Sequence, residues 1–184
     1  MDMRVTEIDL ITFIEDVSSY FDNMAQSKQI QYSFQHDVSS VMLWVDTDKM
    51  EKILANLLSN AFKFTPDGGT VTIRLQDHAG YVILSVEDNG KGIQPQNLSS
   101  VFDQFFTADH LTGTGIGLHL THEFVGMHKG SIRVESEIFL WATRPKRRYV
   151  SPVHFPHGYF LYAYRQTLYS SVMYAGDRSQ TICH

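Results

Sequence analysis

Residues 53–65 read I-L-A-N-L-L-S-N-A-F-K-F-T, which is the pattern of an amphipathic helix. Asn56, Asn60 and Lys63 lie four and three positions apart, so a helix projects all three side chains from one face. Most of the other positions are apolar and suit a packed face (Ile53, Leu54, Leu57, Leu58, Ala61). The pattern predicts a helix from 48 to 64 that ends before Pro66.

The polar face of this helix has two interpretations. Two carboxamides aligned with a lysine offer oxygen atoms and a cation, which suit Mg²⁺ and phosphate. An ordinary solvated polar stripe would show the same spacing, and spacing alone favours that alternative.

Strand and helix patterns extend in both directions from this helix. Upstream, the spacing predicts a helix over 8–24 and short strands over 29–36 and 41–45, with Asp46 or Thr47 as the cap of the central helix. Downstream, 70–76 and 81–87 alternate as an antiparallel hairpin does. A short helix over 95–105, a helix over 116–128 and a strand over 130–137 follow.

The second chemical stretch, D-N-G-K-G-I at 88–93, follows a strand. Asp88 continues the parity of the buried strand positions, so its carboxylate is expected to face the buried side and to need a donor. An adenine amino group could be that donor, and the glycines would let the backbone approach a flat base closely. A plain turn is the alternative, because Asn-Gly is common turn chemistry.

The third stretch, G-T-G-I-G-L at 113–118, is a glycine-rich loop that opens a helix. Backbone N–H groups at a helix N-terminus form an anion site, although a flexible loop would have the same composition. It is not a Walker P-loop, because Lys and Ser/Thr do not follow the last glycine. No parallel βαβ unit surrounds it, so it is not a Rossmann fingerprint either.

The three stretches in this order resemble the GHKL superfamily with its Bergerat ATP-binding fold, and within it the sensor histidine kinases. N-L-L-S-N-A-F-K-F-T is similar to the asparagine box, V-E-D-N-G-K-G-I to the first glycine box, and G-T-G-I-G-L to the second glycine box. V-F-D-Q-F-F at 101–106 resembles the phenylalanine box, which helps to position the lid over the nucleotide. The resemblance covers 8–137.

The resemblance implies a role for each matching residue. Asn60 is the Mg²⁺ ligand, Lys63 contacts phosphate, and Asn56 occupies the position of the general-base glutamate of the water-using ATPases. Asn56, Asn60 and Lys63 are thus the implied catalytic set, and an amide at 56 favours transfer to a protein over hydrolysis. The implied nucleotide-binding residues are Asn60, Lys63, Phe64, Asp88, Gly90, Gly92, Ile93, Gly113, Thr114, Gly115, Ile116, Gly117 and Leu118.

The implied fold is an α/β (α+β) two-layer sandwich with a mixed, mostly antiparallel sheet and about three helices on one face. The implied function is that of a protein-histidine kinase, which transfers the γ-phosphate of Mg-ATP to a histidine on a separate dimerisation domain, for relay to a response regulator. None of the histidines at 36, 78, 110, 119, 122 and 128 lies in a phosphoacceptor context ahead of the ATP-binding domain. A hydrolysing GHKL ATPase and a catalytically impaired nucleotide-binding interaction module are the alternatives.

Composition limits the other classes of function. A net charge of -5 argues against a nucleic-acid or anionic-membrane partner, and the only cysteine, Cys183, permits no disulfide within the chain. No run of 18 apolar residues is present, so we expect a cytoplasmic domain, joined to a membrane sensor only through other parts of a parent protein.

Two segments are expected within the chain. The ATP-binding domain spans 1–137, where the first residues come from the linker after the dimerisation helices. An atypical segment spans 138–184, and there the glycine-rich turn and last strand that the resemblance implies are missing. A substitute strand is predicted at 158–164.

Overall fold

The computed structural model describes residues 2–78, 80–107, 113–136 and 148–156, the last as strand backbone. The helices are α1 (Leu10–Ser19), α2 (Asp22–Ser27), α3 (Thr47–Phe64) and α4 (Gly117–Met127), with a 3-10 helix at Pro95–Ser100. The strands are β1 (Val5–Asp9), β2 (Gln31–His36), β3 (Met42–Asp46), β4 (Thr70–His78), β5 (Tyr81–Asp88), β6 (Val134–Glu135) and β7 (Arg148–Pro156).

Five of these strands form one sheet in the order β2-β4-β5-β7-β6. The β2–β4 pair is parallel, while β4–β5, β5–β7 and β6–β7 are antiparallel. Strands β1 and β3 pair separately as an antiparallel ribbon. The prediction of a mixed, mostly antiparallel sheet in an α/β fold is confirmed.

The core lies between one face of the sheet and the helices. Alternate residues of β4 and β5 are buried in the same cluster as the apolar faces of α1 and α3. From the strands these are Val71, Ile73, Leu75, Val82, Leu84 and Val86. The other face of the sheet carries polar groups, including an Arg74–Glu87 ion pair of 2.8 Å. The period-2 pattern therefore separates a packed face from a polar one, which gives the two layers.

Both ends of α3 are fixed by side chains. At its start, the Asp46 carboxylate accepts a hydrogen bond from the Lys49 backbone N–H at 3.1 Å, which is N-cap geometry. At its end, the Lys28 ammonium donates to the carbonyl oxygens of Phe62 at 2.7 Å and Thr65 at 3.0 Å. Those carbonyls belong to the last turn, where no further helical N–H can reach them. The helix that carries the polar face is therefore held in place from both directions.

Three elements differ from the sequence predictions. Over 8–24 the predicted single helix starts later, because Ile8 and Asp9 end β1 and Asp9 then caps α1 through the Ile11 N–H at 3.0 Å. It is also divided, since α1 ends at Ser19 and α2 begins at Asp22. The predicted helix over 95–105 is only a 3-10 helix, in a stretch where Asn and Ser disfavour a helix interior. Of the predicted strand over 130–137, the described residues form a ladder at Val134–Glu135 and a single bridge at Ser131.

Strand β7 was not predicted from the sequence. It lies between β5 and β6, with Val150 opposite both Val86 and Val134. Its register shifts opposite Ser85, where Ser151 and Pro152 occupy the place of one residue. A bulge accommodates a proline that cannot donate to the ladder, and it also breaks the alternation that reveals a strand. The substitute strand predicted at 158–164 lies outside the described residues.

Within the described residues, no helix combines the length and the apolar content that a membrane span requires.

Candidate functional site

A cavity of about 280 Å³ opens between the polar face of α3, the turn after β5 and the loop that enters α4. It brings together all of the predicted site residues except Asp88, Gly90 and Ile116. The lining consists of Asn56, Leu57, Ser59, Asn60, Lys63, Phe64, Lys91, Gly92, Ile93, Val101, Phe102, Phe106, Thr107, Gly113, Thr114, Gly115, Gly117, Leu118 and Val134. Three stretches that are far apart in sequence therefore share one concave surface.

Two lysine side chains give one wall of the cavity a positive charge. The ammonium nitrogens of Lys63 and Lys91 each lie 5.2 Å from the centroid of the Phe64 ring. A Cβ atom added at Gly113 would lie 3.2 Å from the Lys63 nitrogen, so this ammonium group is next to the glycine-rich loop. The wall combines an aromatic ring with two cations, which suits a ligand that joins a flat ring to an anionic chain.

Asn56 connects α3 to the first turn of α4. Its amide nitrogen donates to the Gly117 carbonyl at 3.1 Å and to the Thr121 hydroxyl oxygen at 3.3 Å. Thr121 is completely buried, and its hydroxyl donates to the same Gly117 carbonyl at 2.9 Å. An amide can make this donation, whereas an ionised carboxylate can only accept.

Asn60 lies one turn further along the same helix face, and its hydrogen bonding differs from that of Asn56. It lines the cavity, and within the described part of the chain its side chain makes no hydrogen bond. An asparagine in this position can offer its side-chain amide oxygen to a ligand in the cavity, and such an oxygen is a suitable ligand for Mg²⁺.

The loop that enters α4 packs against the stretch that resembles the phenylalanine box. The Phe105 N–H donates to the Gly115 carbonyl at 3.0 Å. Gly115 has a φ of +67°, and a Cβ atom there would lie 2.5 Å from the Phe105 carbonyl carbon and 2.7 Å from the Phe106 oxygen. Only glycine fits at this position. The resemblance places the lid at 107–112, of which 108–112 lie outside the described residues.

Asp88 and Gly90 lie beside the cavity and do not line it. Asp88 ends β5, is 3% exposed, and accepts a hydrogen bond at Oδ1 from the Gly90 N–H at 2.8 Å. A Cβ atom at Gly90 would lie 2.5 Å from the Phe64 carbonyl oxygen. The turn is therefore pressed against the last turn of α3, and its contact with the cavity runs through Gly92 and Ile93. Ile116 is the N-cap residue of α4.

A buried polar cluster joins β3, the first turn of α3 and the end of α4. Burial opposes ionisation of Asp46, but hydrogen bonds from the Lys49 ammonium and from the backbone N–H groups of Arg4 and Lys49 lower the pKa of Asp46 to about 2. His128 accepts a hydrogen bond at Nε2 from the Asp46 N–H at 3.1 Å and donates from Nδ1 to the Phe124 carbonyl at 2.7 Å. Burial lowers the pKa of His128, so the neutral ring is favoured.

Several lining residues had no role assigned from the sequence, and Lys91 is the charged one among them. It is part of the 88–93 stretch, but a lysine between two glycines reads as an exposed turn residue. Ser59, Val101 and Val134 also contribute to the lining. Their participation follows from tertiary packing, for which the local sequence carries no signal.

The profile of the family described as "Histidine kinase-, DNA gyrase B-, and HSP90-like ATPase" matches residues 45–156. Sensor histidine kinase TmoS of Ectopseudomonas mendocina is 38% identical over 141 residues, which are 73% of this chain and 14% of that protein. Sensor histidine kinase WalK of Bacillus subtilis strain 168 is 33% identical over 135 residues, 68% of this chain and 22% of that protein.

Among solved structures, the nucleotide-free catalytic domain of histidine kinase ThkA superposes with a TM-score of 0.73 at 26% identity. The superposition covers 84% of this chain and 97% of that one. The chain spans less than a third of the length of the curated relatives it matches.

Proposed function

Since the chain belongs to the histidine kinase-, DNA gyrase B- and HSP90-like ATPases, we propose that it is the ATP-binding catalytic domain of a two-component sensor histidine kinase. It transfers the γ-phosphate of Mg-ATP to a histidine on a separate dimerisation domain of the same kinase. A response regulator receives the phosphate from that histidine. The domain works on the cytoplasmic side, where ATP is available.

The hydrogen bond from Asn56 to the Gly117 carbonyl is the observation that favours phosphate transfer to a protein over hydrolysis of ATP. The side chain at this position must be a donor, and it stands where the resemblance places a general base in the hydrolysing members. An amide cannot take a proton from an attacking water. An amide at this position therefore favours a nucleophile from a protein side chain, as in a kinase, over water.

The cavity residues fit Mg-ATP. Asn60 lines the cavity and can offer an amide oxygen to the metal, and Gly113, in the loop that enters α4, lies next to the Lys63 ammonium group. Backbone N–H groups of such a loop and of a helix N-terminus bind phosphate. Bound Mg²⁺ neutralises charge on the phosphate oxygens during transfer. Lys63 and the loop N–H groups orient the phosphates, and Phe64 packs against the base. Ile93 and Val134 exclude water from it.

Asp88 is proposed to accept from the adenine amino group, with the turn at Gly90 and Gly92 beside the base. Guanine carries a carbonyl at that position, so the site should prefer ATP to GTP by a large factor. If ATP and GTP compete equally well in a displacement assay, Asp88 does not have this role.

The test uses the whole chain and a panel of separately purified dimerisation domains from its sensor-kinase relatives. We expect ATP binding that Mg²⁺ strengthens, no labelled histidine on the chain alone, and acid-labile phosphate on an added domain. ATP hydrolysis without transfer would instead establish a hydrolysing ATPase. Binding with neither reaction would establish an interaction module.

Asn60→Ala tests the metal role separately. The variant should lose roughly tenfold or more in affinity for Mg-ATP, while its affinity for ATP with excess chelator changes little. Asn23→Ala, at an exposed position on α2, is the control. Equal losses with and without Mg²⁺ would show that Asn60 does not ligate the metal.

A further inference from the structure

We propose that Lys91 is a second cationic contact for the phosphate chain, at the end nearer to the base. This inference rests on the proposed function, because it names a further contact within the same site. Its basis is the shared position of Lys63 and Lys91 against the ring of Phe64, each at 5.2 Å. Both side chains line the cavity.

The arrangement places two cationic side chains around one ring of the cavity lining. Each ammonium group is attracted to the negative face of that ring. An anionic chain in the cavity would interact favourably with both groups at once.

The two lysines occupy different positions along the cavity. Lys63 lies against Gly113, at the loop that leads into α4. Lys91 belongs to the turn of Gly90 and Gly92, which is packed on the Phe64 carbonyl at the end of α3. The first location is the phosphate-binding loop and the second is the turn beside the base. Lys91 therefore contacts phosphates that ADP and ATP share, while Lys63 contacts the terminal phosphates.

The experiment compares the affinities of adenosine, ADP and ATP for the full chain and for Lys91→Gln, Lys91→Arg and Lys63→Gln. Lys91→Gln should weaken ADP and ATP by a similar factor, roughly 3- to 10-fold at low salt, and leave adenosine unchanged. Lys91→Arg keeps the charge and should retain most of the affinity. Lys63→Gln should weaken ATP more than ADP.

Lys52→Gln is the matched control, because Lys52 is exposed on α3 and does not line the cavity. The substitution removes the same charge as Lys91→Gln. The loss in Lys91→Gln should shrink as salt rises, since exposed charges are screened. A loss no larger than that of Lys52→Gln would overturn the inference. An equal loss for adenosine would also overturn it, because the role would then be support of the turn. If the unmodified chain binds no adenine nucleotide, the proposed function itself fails.

Discussion

The amide nitrogen of Asn56 donates to the Gly117 carbonyl and to the Thr121 hydroxyl, so one side chain joins α3 to the start of α4. Asn56→Asp keeps the shape of the side chain and replaces the donor with an acceptor. It should lower the free energy of unfolding by about 2 kcal/mol at pH 7, since a carboxylate would then face a carbonyl oxygen. Chemical denaturation without nucleotide measures the change.

Asn60→Asp is the control for this prediction, because it makes the same substitution one turn along the same helix face. The Asn60 side chain makes no hydrogen bond within the described residues, so the free energy of unfolding of this variant should change by only about 0.5 kcal/mol. Equal losses in the two variants would mean that added charge, and not the lost donor, controls the stability of α3.

For individual residues, the sequence predicted which side chains would meet in the cavity but not which contacts each of them makes. The face of Asn56, Asn60 and Lys63 follows from helical spacing alone, and the cavity includes all three. The hydrogen bond from Asn56 to Gly117 depends on how α4 packs on α3, which no local pattern encodes. The place of Lys91 in the cavity also depends on the packing of the turn against the end of α3.

Lys28 connects two elements, because it lies in the segment before β2 and forms hydrogen bonds with the end of α3. Its ammonium group donates to the carbonyls of Phe62 and Thr65, which have no helical partner. Lys28→Met keeps most of the apolar stem and removes the donor. It should reduce the free energy of unfolding by about 1–3 kcal/mol, whereas Lys52→Met on the exposed face should have little effect. Equal melting temperatures for the two variants would contradict this role.

The contact between α4 and β3 through His128 should depend on pH. In the unfolded chain His128 has its ordinary pKa of about 6.5, and in the folded protein burial lowers it. Between these two values the unfolded state binds more protons, so the free energy of unfolding must fall as pH falls below about 6.5. The slope attributable to this residue is at most about 1.4 kcal/mol per pH unit.

The cause is visible in the hydrogen bonds of His128. A protonated ring would direct an Nε2–H group at the Asp46 N–H, and both would be donors. The nearby Asp46 carboxylate opposes the shift, while the Lys49 ammonium supports it. Denaturation between pH 5 and 7.5 should show a smaller slope for His128→Gln than for the unmodified chain. His36→Gln, at an exposed position, should keep the slope. An unchanged slope in His128→Gln would assign the dependence to another group.

Asp46 acts in a separate range of pH. Its pKa of about 2 in the folded protein lies below the ordinary value of 3.8, so its contribution is present above about pH 4 and is lost only as pH falls below that value. The measurement between pH 5 and 7.5 therefore reports on His128 without interference from Asp46.

The central helix and the hairpin were predicted well because their signals are local. The predicted helix over 48–64 is observed as Thr47–Phe64, with the cap at Asp46 and the stop before Pro66. The hairpin of β4 and β5 follows from alternation and a short connection. Strand β7 pairs with residues far away in sequence, and Pro152 interrupts its pattern, so neither its existence nor its place could be predicted.

For the whole molecule, the position of β7 makes the end of the ATP-binding domain testable. The sequence placed the domain at 1–137, while the sheet includes 148–156 and the family profile also ends at 156. We propose that the domain extends through Pro156. Strand β6 forms its ladder with β7 alone, and its Val134 lines the cavity. Loss of β7 would therefore expose one side of β5 and release a residue of the site.

Two truncated chains distinguish a domain that ends at 156 from one that ends at 137. A chain that ends after Pro156 keeps every described strand, so it should fold cooperatively and bind Mg-ATP as the full chain does. A chain that ends after Glu137 loses β7 and leaves unpaired backbone groups on β5, each costly where it remains buried. It should be unfolded or aggregate, as circular dichroism and nucleotide titration would show. Full stability and unchanged ATP affinity after Glu137 would restore the boundary at 137. Loss of ATP binding by a folded chain that ends after Pro156 would show that residues beyond the sheet contribute to the site.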